Sequence, residues 1–304
     1  MEPRRDEGIV RLAHLRFTAL SFGAFLALTT ACARADAPRP ARGAALGPAT
    51  AARSAAPSTP APDPPALEGA PLERIELGGG EIAWLALPVG ARDKRAIVVG
   101  VHGAGDRPDW SCAEWKEVTA GWALVVCPQA TRVHPDSTAT NRSFVWGSSE
   151  AIASQAERAV ATVRARYADW IADGPLIYGG WSQGATLASQ VVAARPGVYD
   201  RVALVEVGHT PLDASAVAAS FAGAGVRRAV VSCSSSKCRS FAQAFTSAAR
   251  RRGLPTQTND VGLRGHWFDE PVFRTLGPKV VWMVEDERRF AGLGAAVDAR
   301  WMTD

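Results

Sequence analysis

The 304-residue chain is long enough for one large domain or two small ones, and its net charge at pH 7 is a modest +4. Basic residues are scattered rather than striped, and the clusters Arg227-Arg228 and Arg250-Arg251-Arg252 fall at expected helix and strand ends. Solvated charge is ordinary there, so nothing in the composition points to a nucleic-acid partner, and no internal repeat is visible.

The chain opens with Arg4, Arg5, Arg11 and Arg16 around the start of an uncharged apolar run, residues 17–31. A basic start and about 15 apolar residues read as a secretory signal, since a membrane span needs nearer 20. Two exits from the signal stay open. Leu28-Thr29-Thr30-Ala31-Cys32 resembles a bacterial lipobox, with Thr29 where leucine is usual, which would make Cys32 a lipid anchor; Ala33-Arg34-Ala35 is an A-x-A site for ordinary cleavage. Either exit predicts an exported bacterial protein: periplasmic, held at the outer membrane, or secreted. Residues 36–70 are mostly Ala, Pro, Ser and Thr and read as a disordered tether, because so few large apolar groups cannot offset the entropy of ordering. That leaves 1–35 as signal, 36–70 as linker and 71–304 as the folded domain.

Beyond the tether, apolar runs alternate with amphipathic stretches. Residues 72–77 and 82–88 flank Gly78-Gly79-Gly80 and predict an opening hairpin. Residues 96–101 and 122–127 are continuous apolar runs of buried-strand length. A helix is expected from 148 to about 171, with Ala151, Ile152, Ala156, Ala159, Val160 and Val163 on one face. Next come a strand at 176–179, a helix at 183–194 and strands at 202–207 and 229–233. A helix at 237–252, a weak strand at 256–261 and a terminal helical region complete the order. Strands alternating with helices predict an α/β fold, a mostly parallel sheet of about eight strands with helices on both faces.

Gly180-Trp181-Ser182-Gln183-Gly184 fits G-x-S-x-G between the expected strand and helix. Such an elbow needs small neighbours on both sides, lifts the serine hydroxyl out of the sheet and sets it at a helix N-terminus. Gly-Trp-Ser-Gln-Gly-Ala, with Val101-His102-Gly103-Ala104-Gly105-Asp106 upstream, resembles the bacterial carboxylesterase and acyl-protein thioesterase group of the α/β-hydrolase superfamily. The resemblance covers roughly residues 72–290. It implies Ser182 as nucleophile, the backbone N–H groups of Ala104 and Gln183 as oxyanion hole, and His102 as a loop-shaping residue rather than a base. This fold orders its triad nucleophile, acid, histidine. His14, His102 and His134 precede the serine, and of His209 and His266 the latter sits in the Gly-His pair that follows the eighth strand in relatives.

The acid departs from the resembled pattern. Relatives carry a carboxylate just after the seventh strand, and here that place reads Cys233-Ser234-Ser235-Ser236-Lys237-Cys238. Haloalkane dehalogenases place their acid at the end of the sixth strand, where this chain has Glu206 at the end of an apolar run; unlike them it has serine, not aspartate, at the elbow. Glu206 is therefore the expected acid, with Asp213, Asp260 or no acid as alternatives. Omitting Cys32, four cysteines in an oxidising compartment suggest two disulfides, against four free thiols. The strand positions of the resembled fold imply Cys112 with Cys127 and Cys233 with Cys238.

These features predict acyl transfer to water through an acyl-enzyme on Ser182, with a carboxylic ester as the default substrate by resemblance and thioester, polyester or peptide bonds left open. A non-catalytic binding protein on the same scaffold is the rival. No organic cofactor is implied, no C-x-x-C or His/Cys spacing supports a metal site, and the oligomeric state is not encoded legibly. Trp110, Trp115, Trp146, Trp181 and Trp267 are candidates for lining the site, though aromatic residues more often belong to the core.

Overall fold

A computed structural model describes residues 64–302. The export segment, Cys32 and residues 36–63 of the expected tether lie outside the described residues. Leu67, within the expected tether, is buried in the core and exchanges backbone hydrogen bonds with the 90–91 turn.

The main sheet has eight strands. β1 (Leu72–Gly78) and β2 (Glu81–Ala86) form the antiparallel opening hairpin. They are followed by β3 (Ile97–Val101), β4 (Leu124–Pro128), β7 (Leu176–Trp181), β8 (Tyr199–Val205), β9 (Arg228–Cys233) and β10 (Thr256–Asp260). The spatial order is β1-β2-β4-β3-β7-β8-β9-β10, and every pair from β4 onward is parallel. The short strands β5 (Arg132–Val133) and β6 (Phe144–Val145) pair separately.

Helices cover both faces, which is why the central strands are apolar without alternation. α2 (Ser149–Arg166), α3 (Gln183–Ala193), α4 (Ala214–Gly223) and α5 (Ser236–Arg250) pack on one face, against side chains such as Val99 and Val126. α1 (Pro108–Val118), α6 (Glu270–Val284) and α7 (Leu293–Trp301) cover the other, against Val98 and Val125. Among the described residues no helix is long and apolar enough to cross a membrane.

The expected strands and the helices after 148, 183 and 237 all form. The long helix expected to 171 stops at Arg166 and is followed by a 3-10 turn at Ala168–Trp170. Two helices escape sequence patterning. α1 buries only Pro108, Ser111, Cys112, Trp115 and Val118, a narrow and partly polar stripe. α4 is alanine-rich, with Val217 and Phe221 its only large buried apolar groups. Both cysteine pairs are bonded as the resemblance implied: Cys112 with Cys127 (Cα–Cα 5.6 Å) and Cys233 with Cys238 (5.3 Å).

The guanidinium of Arg201 is fully internal. Arg201 of β8 donates to Asp200, to the Met283 carbonyl, and to Asp286 and Glu287 at 2.9 Å each, tying the strand to the end of α6. A buried guanidinium is tolerated only when its donors are met in this way.

Candidate active site

Ser182 sits between β7 and α3 with φ 49° and ψ −106°, a left-handed turn that non-glycine residues adopt only when the surroundings impose it. What imposes it is close packing on both sides. A Cβ on Gly184 would fall 2.5 Å from the Val101 carbonyl oxygen, and one on Gly180 would fall 2.8 Å from the Ala185 nitrogen. The two glycines of the motif are thus needed for backbone approach, and the Ser182 N–H is anchored on the Val205 carbonyl at 2.9 Å.

His266 lies in the loop after β10, with Nε2 2.9 Å from Ser182 Oγ. Its ring rests on Trp181 at a centroid distance of 4.5 Å. Glu206 directly follows β8 and is 1% exposed, with φ 53°. Because Trp181 and Val205 are register partners, Ser182 and Glu206 leave neighbouring strands at the same level. Glu206 Oε2 is 3.5 Å from His266 Nδ1 and 3.0 Å from His209 Nε2, while His209 Nε2 is itself 2.8 Å from His266 Nδ1.

The segment that lacks a carboxylate supplies donors for one. Ser234 gives Glu206 Oε1 its backbone N–H, its hydroxyl lies 3.0 Å from the same oxygen and 2.8 Å from the Gly265 carbonyl, and Ser235 Oγ donates to Oε2. Burial alone would push the Glu206 carboxyl up; the contacts from His266, Ser234, Ser235 and His209 outweigh it and hold the pKa at about 2. Ser234 also fixes the histidine loop, since its carbonyl accepts from the N–H groups of Arg264 (2.8 Å) and Gly265 (3.0 Å). Asp213 and Asp260 are occupied elsewhere: Asp213 caps α4 through the Ser215 and Ala216 N–H groups, and Asp260 pairs with Arg239.

Ala104 is exposed on the loop after β3, and Gln183 is the first residue of α3, so its N–H has no intrahelical acceptor. The loop passes against the elbow: a Cβ on Gly103 would lie 3.1 Å from that of Ser182. It is held by hydrogen bonds from Gly105 N–H to Phe144 O and from Phe144 N–H to Asp106 O, both 2.9 Å. The Gln183 side-chain amide pairs with the Trp146 backbone, accepting at 2.9 Å and donating at 3.0 Å. His102 is fully buried, and burial lowers its pKa to about 4 against the opposing bond to the Gly103 carbonyl. With the Ala130 N–H donated to its Nε2 at 3.2 Å, this histidine is neutral and shapes the loop.

The tryptophans divide. Trp115 belongs to the core, lying where a Cβ on Gly100 or Gly179 would come within 2.8 Å of its ring. Trp146 is buried against His102, Trp181 packs on His266, and Trp110 and Trp267 are exposed. His209, Ser234 and Ser235 are the site residues that sequence patterns do not single out. A histidine three residues beyond a strand-end glutamate is a faint signal for the first; serines flanked by paired cysteines carry none.

No family model matches the chain, and no curated protein matches its sequence. Among solved structures, a protein described as a dienelactone hydrolase from Klebsiella pneumoniae is similar with a TM-score of 0.52 at 12% identity, over 70% of this chain and 98% of that one. A lipase in its open form is similar with a TM-score of 0.51 at 16% identity, over 71% and 98% of the two chains. An uncharacterized protein from Bacillus cereus is similar with a TM-score of 0.52 at 13% identity; the match spans 66% of this chain and 62% of that one. Likeness at these identities speaks for the fold.

Proposed function

From the premise that the chain has the α/β-hydrolase fold, we propose that it is an exported serine hydrolase acting on carboxylic esters. The observation that carries the proposal is the 2.9 Å contact between His266 Nε2 and Ser182 Oγ at a strained strand-to-helix turn, with a buried, ionised carboxylate behind the histidine. His266 takes the hydroxyl proton as Ser182 Oγ attacks the ester carbonyl carbon. The oxygen, now negative, is held by the N–H groups of Ala104 and Gln183. Collapse expels the alcohol, which receives the proton from His266, and water deacylates the serine by the same route. Glu206 offsets the charge that His266 acquires at each transfer.

Export is supported by the basic and apolar start of the chain and by two disulfides, which persist in oxidising compartments. Whether Cys32 carries a lipid is read by mass spectrometry of the mature N-terminus.

A fluorophosphonate probe tests the proposal. Wild type should be labelled on Ser182 and hydrolyse p-nitrophenyl esters, whose graded chain lengths map the acyl site. Ser182→Ala should lose labelling and several orders of magnitude in turnover, about 10⁶ in the best-studied case, with its circular dichroism unchanged. A Ser182→Ala variant retaining more than a tenth of the rate removes the assignment, and an unlabelled, inactive wild type favours the non-catalytic rival.

A further inference from the structure

Three ligand atoms meet beside the elbow: Glu206 Oε2, His209 Nε2 and His266 Nδ1, at separations of 3.0, 2.8 and 3.5 Å. Hydrogen bonds do not account for all three contacts. If His266 accepts the serine proton on Nε2, its own proton is on Nδ1. His209 Nε2 then either accepts that proton and faces the Glu206 oxygen with no proton between them, or carries its own and meets the first proton head-on. If instead His266 Nδ1 is bare, it faces the carboxylate oxygen with no proton between. With one proton on each imidazole, no arrangement satisfies the triangle, and the Ser235 hydroxyl, near both Glu206 and His209, donates to only one of them.

A cation at the centre satisfies it at once. Two imidazole nitrogens and one carboxylate oxygen are a donor set for zinc and its first-row neighbours. A tetrahedral ion with bonds of about 2.0–2.1 Å holds its ligands roughly 3.3 Å apart, so the triangle of 3.0, 2.8 and 3.5 Å needs adjustments of at most about half an ångström. The site is reachable: the side chains of His209 and His266 are 29% and 36% exposed, while that of Glu206 is buried at 1%. It is also anchored, because Ser234 holds the second oxygen of Glu206.

We propose that Glu206, His209 and His266 form a binding site for a zinc-class divalent ion, and that the bound ion switches off the Ser182–His266 pair. The ion takes the lone pair of His266 Nδ1. The imidazole proton is then on Nε2, where it points at Ser182 Oγ and leaves no base for the hydroxyl proton. Metal occupancy and catalysis thus compete for one ring. The binding half stands without the hydrolytic reading, and the inhibitory half rests on it.

The test uses purified chain without an affinity tag, stripped with a chelator. Zinc titrated against a chromophoric chelator should show one ion per chain, with affinity lowered at least tenfold in His209→Ala and unchanged in His134→Ala. Absence of binding, or equal affinity in His209→Ala, overturns the site. Cobalt(II) reads the unaltered protein: intense visible bands of a four- or five-coordinate ion are expected, and the weak bands of a six-coordinate hydrated ion overturn it. For the inhibitory half, one equivalent of zinc should slow fluorophosphonate labelling at least tenfold, reversibly with chelator, but less than twofold in His209→Ala relative to its own metal-free rate. Undiminished labelling with the ion bound overturns inhibition. A metal-free chain that is not labelled at all refutes the hydrolytic reading, leaving the binding titration to decide the site.

Discussion

Glu206 combines three features that seldom coincide: a left-handed backbone, burial and a full set of hydrogen-bond donors. A carboxylate so held stays ionised and, on the proposed function, would steady a cationic His266 at little cost in reorganisation. Glu206→Gln should therefore lower turnover about 100-fold or more, whereas Asp213→Asn and Asp260→Asn, whose side chains cap a helix and pair with Arg239, should cost far less. Steady-state kinetics of the three variants checks this, and a larger loss in Asp260→Asn would contradict it. The same residue sets a pH limb. Its folded pKa of about 2 lies below the ordinary glutamate value of 4.5, so between these values the unfolded chain holds more protons than the folded one. The stability Glu206 contributes is complete above about 4.5 and is lost as pH falls towards 2. Acid melts should show that slope in wild type and a flatter one in Glu206→Gln.

At the scale of elements, the elbow depends on how closely α3 approaches β3. Gly184 stands against the Val101 carbonyl, which is backbone and has nowhere to retreat. Gly184→Ala should cost roughly 1–3 kcal/mol by overpacking, read as a lower melting temperature, and should depress labelling of Ser182 further by tilting the turn. This motif was legible because both needs, small neighbours and a strand-to-helix junction, are written in adjacent residues. The sheet was legible for a similar reason: strands buried on both faces are continuous apolar runs. α1 and α4 were not, because a helix that buries a narrow or alanine-rich stripe leaves little periodic contrast. His209 and the Ser234–Ser235 donors were hidden differently. Their partners lie 3 to 57 positions away in the chain, and the parallel register of β8, β9 and β10 brings the distant ones together.

For the molecule as a whole, the two disulfides divide the labour. Cys112–Cys127 spans 15 positions and joins α1 to β4 within the core; replacing both cysteines with serine should cost about 3 kcal/mol in the chain-entropy model, with catalysis little changed in what remains folded. Cys233–Cys238 spans only 5 and should contribute nearer 2 kcal/mol, yet its ring contains the serines that hold Glu206. Replacing this pair should reduce turnover more than it reduces stability, and denaturant melts alongside kinetics separate the two effects. The arrangement around Glu206 has one more consequence. Relatives by resemblance put the acid after the strand corresponding to β9, where this chain has Ser234 and Ser235; here the carboxylate stands one strand over and leans on those serines. Both strand ends therefore meet at one point beside the two histidines, and a carboxylate carried at position 235 would stand next to the place that the Glu206 carboxylate occupies.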